Sequence, residues 1–186
     1  MYRNFYQRQN IENRRQNLYA LVTYLPEELD RIIIPLREKF DPLHNQIASH
    51  ITIVFPFESS YPIEELTAII KRELENEPEI PIELNSIMDF YPKSPIICWK
   101  VESNDRLISL YYRLHSQLGL AVPFKEFLPH VTVAQEISPH RVMMVKEKVI
   151  PYLPSESFLA GTMDLITPLD DQKWVSVRTF QLLSSD

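Results

Sequence analysis

The chain has 186 residues, 45% of them apolar and 24% charged, a composition that points to a single globular domain and away from collagen-like or disordered classes. Only two glycines occur, Gly119 and Gly161, which excludes the glycine-rich phosphate loops of the Walker and dinucleotide types; any bound phosphate must be held by side chains and strand backbone. The formal net charge of −6 argues against a broad grip on long nucleic acid, which needs a basic surface.

Residues 1–17 are polar, carry Arg3, Arg8, Arg14 and Arg15 against Glu12, and read as an N-terminal extension. Residues 18–186 read as one domain of two pseudo-repeats divided near residue 103. Leu18 to Tyr24 has the pattern of a strand. Pro26 to Phe40 reads as a helix with Leu29, Ile32, Ile33 and Leu36 as its apolar stripe, and Pro35 is expected to kink or shorten it. His50 to Phe57 is a strand rich in β-branched and aromatic residues, and Ile63 to Leu74 is an amphipathic helix. Ile80 to Phe90 and Ile96 to Glu102 are strands joined by the turn-forming run Tyr91-Pro92-Lys93-Ser94-Pro95.

The order then recurs. Asp105 to Leu118 is a helix that Gly119 can end. Pro129 to Ala134 is a strand, and Ser138 to Tyr152 is a helix with Ser138 as N-cap and Pro139 in the first turn. Phe158 to Ile166 and Trp174 to Leu182 are strands. Alternating strands and helices point to an α+β or α/β architecture. The single cysteine, Cys98, sits in an apolar run and reads as a buried inert thiol in a reducing compartment. No apolar stretch approaches the roughly 20 residues of a membrane span, and the N-terminus has no apolar signal core. The expected location is cytoplasmic, with no membrane partner.

Each half carries the same short pattern: His50-Ile51-Thr52-Ile53 and His130-Val131-Thr132-Val133. Side chains alternate along a strand, so Ile51, Ile53, Val131 and Val133 face a core while each histidine shares the other face with its threonine, about 7 Å away. A given histidine falls in such a pattern by chance on the order of 1% of the time, and two hits among five histidines occur in roughly one chain per thousand. Two structural strand histidines are the bland alternative. A zinc site would need further His, Cys or acid ligands at short spacing, which neither motif has. His44 and His140 read as surface residues and His115 as part of a helix face. A serine triad lacks its glycine-containing elbow.

These residues make the chain resemble the 2H phosphoesterase superfamily, in its 2′,5′-RNA ligase/2′,3′-cyclic phosphodiesterase branch. The resemblance runs through LYALVTYLPEEL (18–29), HITIVFPF (50–57), LPHVTVAQ (128–135) and VSVRTFQL (175–182). It implies a bilobal, pseudo-twofold α+β fold with two antiparallel sheets facing a central cleft and helices outside. It also implies metal-independent, cofactor-free hydrolysis of a cyclic phosphodiester, the 2′,3′-cyclic phosphate of a nucleotide or an RNA end. His50 and His130 would be the acid–base pair and Thr52 and Thr132 the phosphate holders. Reversible 2′,5′-RNA ligation and a non-catalytic nucleotide-binding module are the alternatives. Many relatives carry arginine beside the second motif where this chain has Leu128 and Gln135, which favours a small substrate over a long RNA end. Tyr24, Phe57, Tyr91 and Trp99 are candidates for stacking on a base, with core packing as the competing role.

Overall fold

The computed structural model describes residues 17–123, 126–170 and 172–184; of the N-terminal extension only Asn17 falls among them. Among the described residues, eight strands and four α-helices follow in the order β1 (Leu18–Tyr24), α1 (Glu27–Phe40), β2 (His50–Glu58), α2 (Ile63–Leu74), β3 (Ile80–Asp89), β4 (Ile97–Val101), α3 (Asp105–Gln117), β5 (His130–Ala134), α4 (Val142–Val149), β6 (Glu156–Ala160), β7 (Thr162–Pro168) and β8 (Trp174–Gln181).

The helices start and stop for local reasons. Glu27, Glu28 and Asp30 in the first turn of α1, and Arg37 and Lys39 in its last, complement the helix dipole. Pro35 lies inside α1 without ending it. In α3, Asn104 Oδ1 accepts hydrogen bonds from the Arg106 and Leu107 amides at 3.0 and 3.1 Å, a capping geometry that satisfies two otherwise unpaired donors. Gly119 follows that helix with φ of +66°, a conformation that costs glycine little. The expected helix from Ser138 to Tyr152 is shorter than its pattern suggests. Only Val142–Val149 is α-helical, between 3₁₀ turns at Pro139–Arg141 and Ile150–Tyr152 that each contain a proline.

The strands form one antiparallel sheet in the order β6-β3-β4-β5-β2-β1-β7-β8. The fold is α+β, but the two separate sheets expected are joined into one, because the motif strands β2 and β5 pair with each other through Ile51↔Val131. Chain order and sheet order also differ. β1 and β2 lie with β7 and β8 on one side of that seam, and β3 to β6 lie on the other, so the two sides are not the stretches before and after residue 103. The expected strand Phe158–Ile166 is divided at Gly161: β6 pairs with β3 and β7 with β1 at opposite flanks of the sheet. A Cβ at Gly161 would stand 3.0 Å from Glu79 Oε1, the mobile end of a flexible side chain.

The helices cover one face of the sheet. There Ile51, Ile53, Val131 and Val133 are fully buried against Leu29, Ile33, Leu66, Ile70, Leu107 and Val142. Truncating one of these isoleucines to alanine costs about 2–5 kcal/mol. The other face carries a second, smaller cluster of Ala20, Val22 and Ile166, flanked by Tyr24, Ile47 and Trp174.

Candidate active site

Burial alternates along both motif strands as a two-residue period requires. Ile51, Ile53, Val131 and Val133 are buried, while His50, Thr52, His130 and Thr132 are half-buried on the face away from the helices. The pair Ile51↔Val131 is antiparallel, so continuing its register sets His50 beside Thr132 and Thr52 beside His130. The two histidines then occupy diagonal corners of a four-residue patch, about 7–8 Å apart at their Cα atoms. The sheet thus brings together all four residues of the paired motif from 80 positions apart in the chain.

Both imidazoles are held in the same way. His50 Nδ1 lies 2.8 Å from the Ala48 carbonyl oxygen, and His130 Nδ1 lies 2.7 Å from that of Leu128. A carbonyl can only accept, so Nδ1 carries a proton in each ring and Nε2 is the nitrogen left for chemistry. Neutral, that nitrogen accepts a proton; protonated, it donates one. Burial pushes the His50 imidazole down to about 4, with Arg37 and His130 adding repulsion, and opposed by the Ala48 carbonyl and Asp41. Burial also lowers His130, opposed by the Leu128 carbonyl. Both rings therefore favour the neutral form before an anion arrives.

The neighbours on the same face differ between the two sides. Tyr24 stands opposite His50 in the β1·β2 register, with ring centroids 6.4 Å apart and edge-on. Lys100 stands opposite His130 and Cys98 opposite Thr132 in the β4·β5 register. Lys100 Nζ is 3.3 Å from Glu102 Oε1 on a half-exposed pair. Cys98 is fully buried, and burial pushes its thiol well above the ordinary range, in keeping with an inert role. A cavity of ≈ 240 Å³ lies alongside, lined by Met88, Lys100, Ser103, Tyr112, Leu128 and Pro129 among others. Among the described residues, no group of three or more His, Cys, Asp or Glu is arranged to hold a metal ion.

The candidate stacking residues part company. Tyr24 is at the site. Trp99 pairs with Val131 and is completely buried, so it belongs to the core. Phe57 pairs with the buried core residue Tyr19, their rings 6.3 Å apart, and packs against the core as well. Both take the core-packing role for which their parity suits them. Tyr91 is exposed at the β3–β4 turn, while its neighbour Phe90 meets the His130 ring edge-on at 5.0 Å. Phe90 and Lys100 were not singled out by the sequence reading, although strand alternation from Cys98 would have put Lys100 on the motif face.

A buried polar group also escaped that reading. Arg37 and Asp41, both buried at the end of α1, pair through Arg37 Nε and Asp41 Oδ2 at 3.0 Å. Arg37 also donates to Ser49 Oγ at 3.1 Å, and Gln135 Nε2 donates to Asp41 Oδ1 at 2.8 Å.

The chain is similar to known proteins in sequence and in fold. Residues 25–172 match the family model of the 2′-5′ RNA ligase superfamily. The chain belongs to that superfamily. It is 33% identical over 120 residues to a Geobacillus kaustophilus protein whose name assigns it provisionally to the phosphoesterases, covering 64% of this chain and 69% of that one. A similarly named Shouchella clausii protein is 30% identical over 175 residues, covering 88% and 97%. Among solved structures, Escherichia coli LigT complexed with 3′-AMP superposes with a TM-score of 0.63 at 18% identity, covering 89% of this chain and 98% of that one. A Thermus thermophilus structure gives 0.63 at 17% identity, covering 91% and 100%. The chain is thus a 2H-type phosphoesterase by family, and the LigT likeness supports its fold.

Proposed function

We propose that this protein opens a 2′,3′-cyclic phosphate, on a nucleotide or a short RNA end, in a cleft formed over the motif face by the two sides of the sheet in pseudo-twofold relation. The observation that carries the reading is the pair of diagonal histidines, each with its Nδ1 proton given to a backbone carbonyl and with no hydrogen bond at Nε2 among the described residues. Binding alone needs no such matched tautomers, which speaks against a non-catalytic module. In the proposed step, His50 Nε2 takes a proton from water as its oxygen attacks phosphorus. The P–O bond to one ribose oxygen breaks, and His130 Nε2–H protonates that leaving oxygen. Thr52 and Thr132 donate hydroxyl hydrogen bonds to the non-bridging oxygens, where charge builds up.

Arg37 supports giving the base role to His50. Its positive charge disfavours a second positive charge on that ring, whereas the causes acting on His130 are burial and its backbone hydrogen bond. The chemistry needs no metal or organic cofactor, and ligation of a 2′,5′ bond is the same chemistry reversed. Tyr24 and Phe90, edge-on to the two histidines, would flank the sugar and base.

The test is a panel of 2′,3′-cyclic mononucleotides and oligoribonucleotides with cyclic ends, incubated with and without a chelator, the products being resolved as 2′- or 3′-phosphates. Turnover with one regiochemistry and no chelator effect is expected. Loss of activity on chelation, restored by a divalent ion, would overturn the acid–base assignment.

A further inference from the structure

The two motif strands match residue for residue, yet their flanks do not. Ser49 precedes the first histidine where Pro129 precedes the second, and Gln135 follows the second motif where Phe55 follows the first. Because β2 and β5 run antiparallel, Ser49 and Gln135 lie at the same end of the seam. That end is where the buried Arg37–Asp41 pair sits. Arg37 reaches Ser49, and Asp41 accepts from Gln135, from the Leu43 amide at 3.0 Å and from Arg37. The Gln135 amide also donates to the Phe40 carbonyl at 3.2 Å. At the other end, Pro129 and Phe55 offer no side-chain hydrogen-bonding groups.

The seam itself is thin: Ile51↔Val131 is its one register pair among the described residues, whereas β5 pairs with β4 at four positions. Resting on the acid–base reading above, we infer that the Arg37–Asp41 pair, with Ser49 and Gln135, is a positioning clamp across the β2·β5 seam that fixes His50 relative to His130 and makes the two histidines chemically unequal. None of these four residues is proposed to touch the reacting atoms; they act through His50 and the spacing of the strands. A buried ion pair is a poor source of net stability, since desolvation offsets most of its attraction. Its value here lies in geometry and charge. The charged or titratable groups gathered on His50 are Arg37 and Asp41 from α1, His130 from β5 and Tyr24 from β1. Arg37 lowers the ring and Asp41 raises it, so the two members of the clamp pull in opposite directions.

That opposition supplies the test. Histidine ring titrations are followed by NMR in the full chain for wild type, Arg37→Met and Asp41→Asn, alongside kcat and KM for Gln135→Leu and Arg37→Lys on a 2′,3′-cyclic nucleotide. Arg37→Met should move the His50 titration up and Asp41→Asn should move it down, with His130 staying close to its wild-type position. Gln135→Leu, which changes no charge, should lower kcat about 10-fold or more with KM within about twofold, because the reacting groups lose their spacing. Arg37→Lys keeps the charge but loses the reach to Ser49, so its kcat should fall while its His50 titration stays low. Should Arg37→Met not fold, Asp41→Asn and the two kinetic variants still decide the matter. A folded Arg37→Met or Asp41→Asn with an unmoved His50 titration, or Gln135→Leu with wild-type kcat, would overturn the clamp. Should wild type turn over no cyclic phosphate, the hydrolytic reading fails, and the NMR titrations still read the clamp by themselves.

Discussion

A base with a pKa near 4 is a feeble proton acceptor at neutral pH, so the site as it stands without substrate is not yet armed. The phosphate itself can arm it. One negative charge about 4 Å from the His50 ring is worth about 4 kcal/mol at an effective dielectric of 20, or about three pKa units. That would lift His50 from about 4 to about 7, where a general base works best. His130 should rise in the same direction and, lacking the Arg37 repulsion, should take up its proton first. The perturbation is therefore simple: add inorganic phosphate or a 3′-nucleotide and repeat the histidine titrations by NMR between pH 4 and 9. Both site histidines should move up on binding, and the exposed His140 serves as the internal control. A matched concentration of chloride separates binding from screening. If saturating phosphate leaves both rings at their free values, anion-driven arming is wrong, and with it the account of how two depressed histidines serve as acid and base.

Three further outcomes are expected. Thr52→Val and Thr132→Val keep shape and strand propensity but remove the hydroxyl; each should cost about 1–3 kcal/mol of transition-state binding, read as a roughly 5- to 150-fold loss in kcat/KM. Because the folded state lowers His50 to about 4 from 6.5, the unfolded chain binds more protons between those values, so stability should fall as pH drops from about 6.5 to 4 and level off below; that part of the loss should vanish in denaturant melts of His50→Ala. Lys100, beside His130, is a cation within the site, and a site with few cations should prefer a cyclic mononucleotide to a long RNA end. Lys100→Met should raise KM for both, and a large, salt-sensitive preference for the oligonucleotide would contradict this.

Much of the site could be read from local pattern because strand alternation is a short-range rule. It placed His50 with Thr52 and His130 with Thr132, and the same parity consigns Trp99 to the core beside Val101. Long-range choices were not legible. Nothing local says that β2 pairs with β5, and that single contact turns two sheets into one. Phe158 to Ile166 has the pattern of one strand, and only its pairing with β3 on one flank and β1 on the other shows that it is divided. Arg37 looks like an ordinary charge in the last turn of a helix; buried, it pairs with Asp41 four residues on, and Asp41 in turn accepts from Gln135, 94 positions beyond Asp41 in the chain. Nothing local shows that the side chain of Gln135 is spent on the seam, where it donates to Asp41.

The central claim is that two histidines, one from each motif strand, carry the chemistry. It is tested most directly by the turnover of His50→Ala and His130→Ala on a 2′,3′-cyclic nucleotide, each first shown to fold by its melting curve. Both variants should lose 10²-fold or more in kcat, with the acidic limb of the pH–rate profile altered in one and the basic limb in the other. A folded variant at either position that keeps near-wild-type kcat would contradict the account.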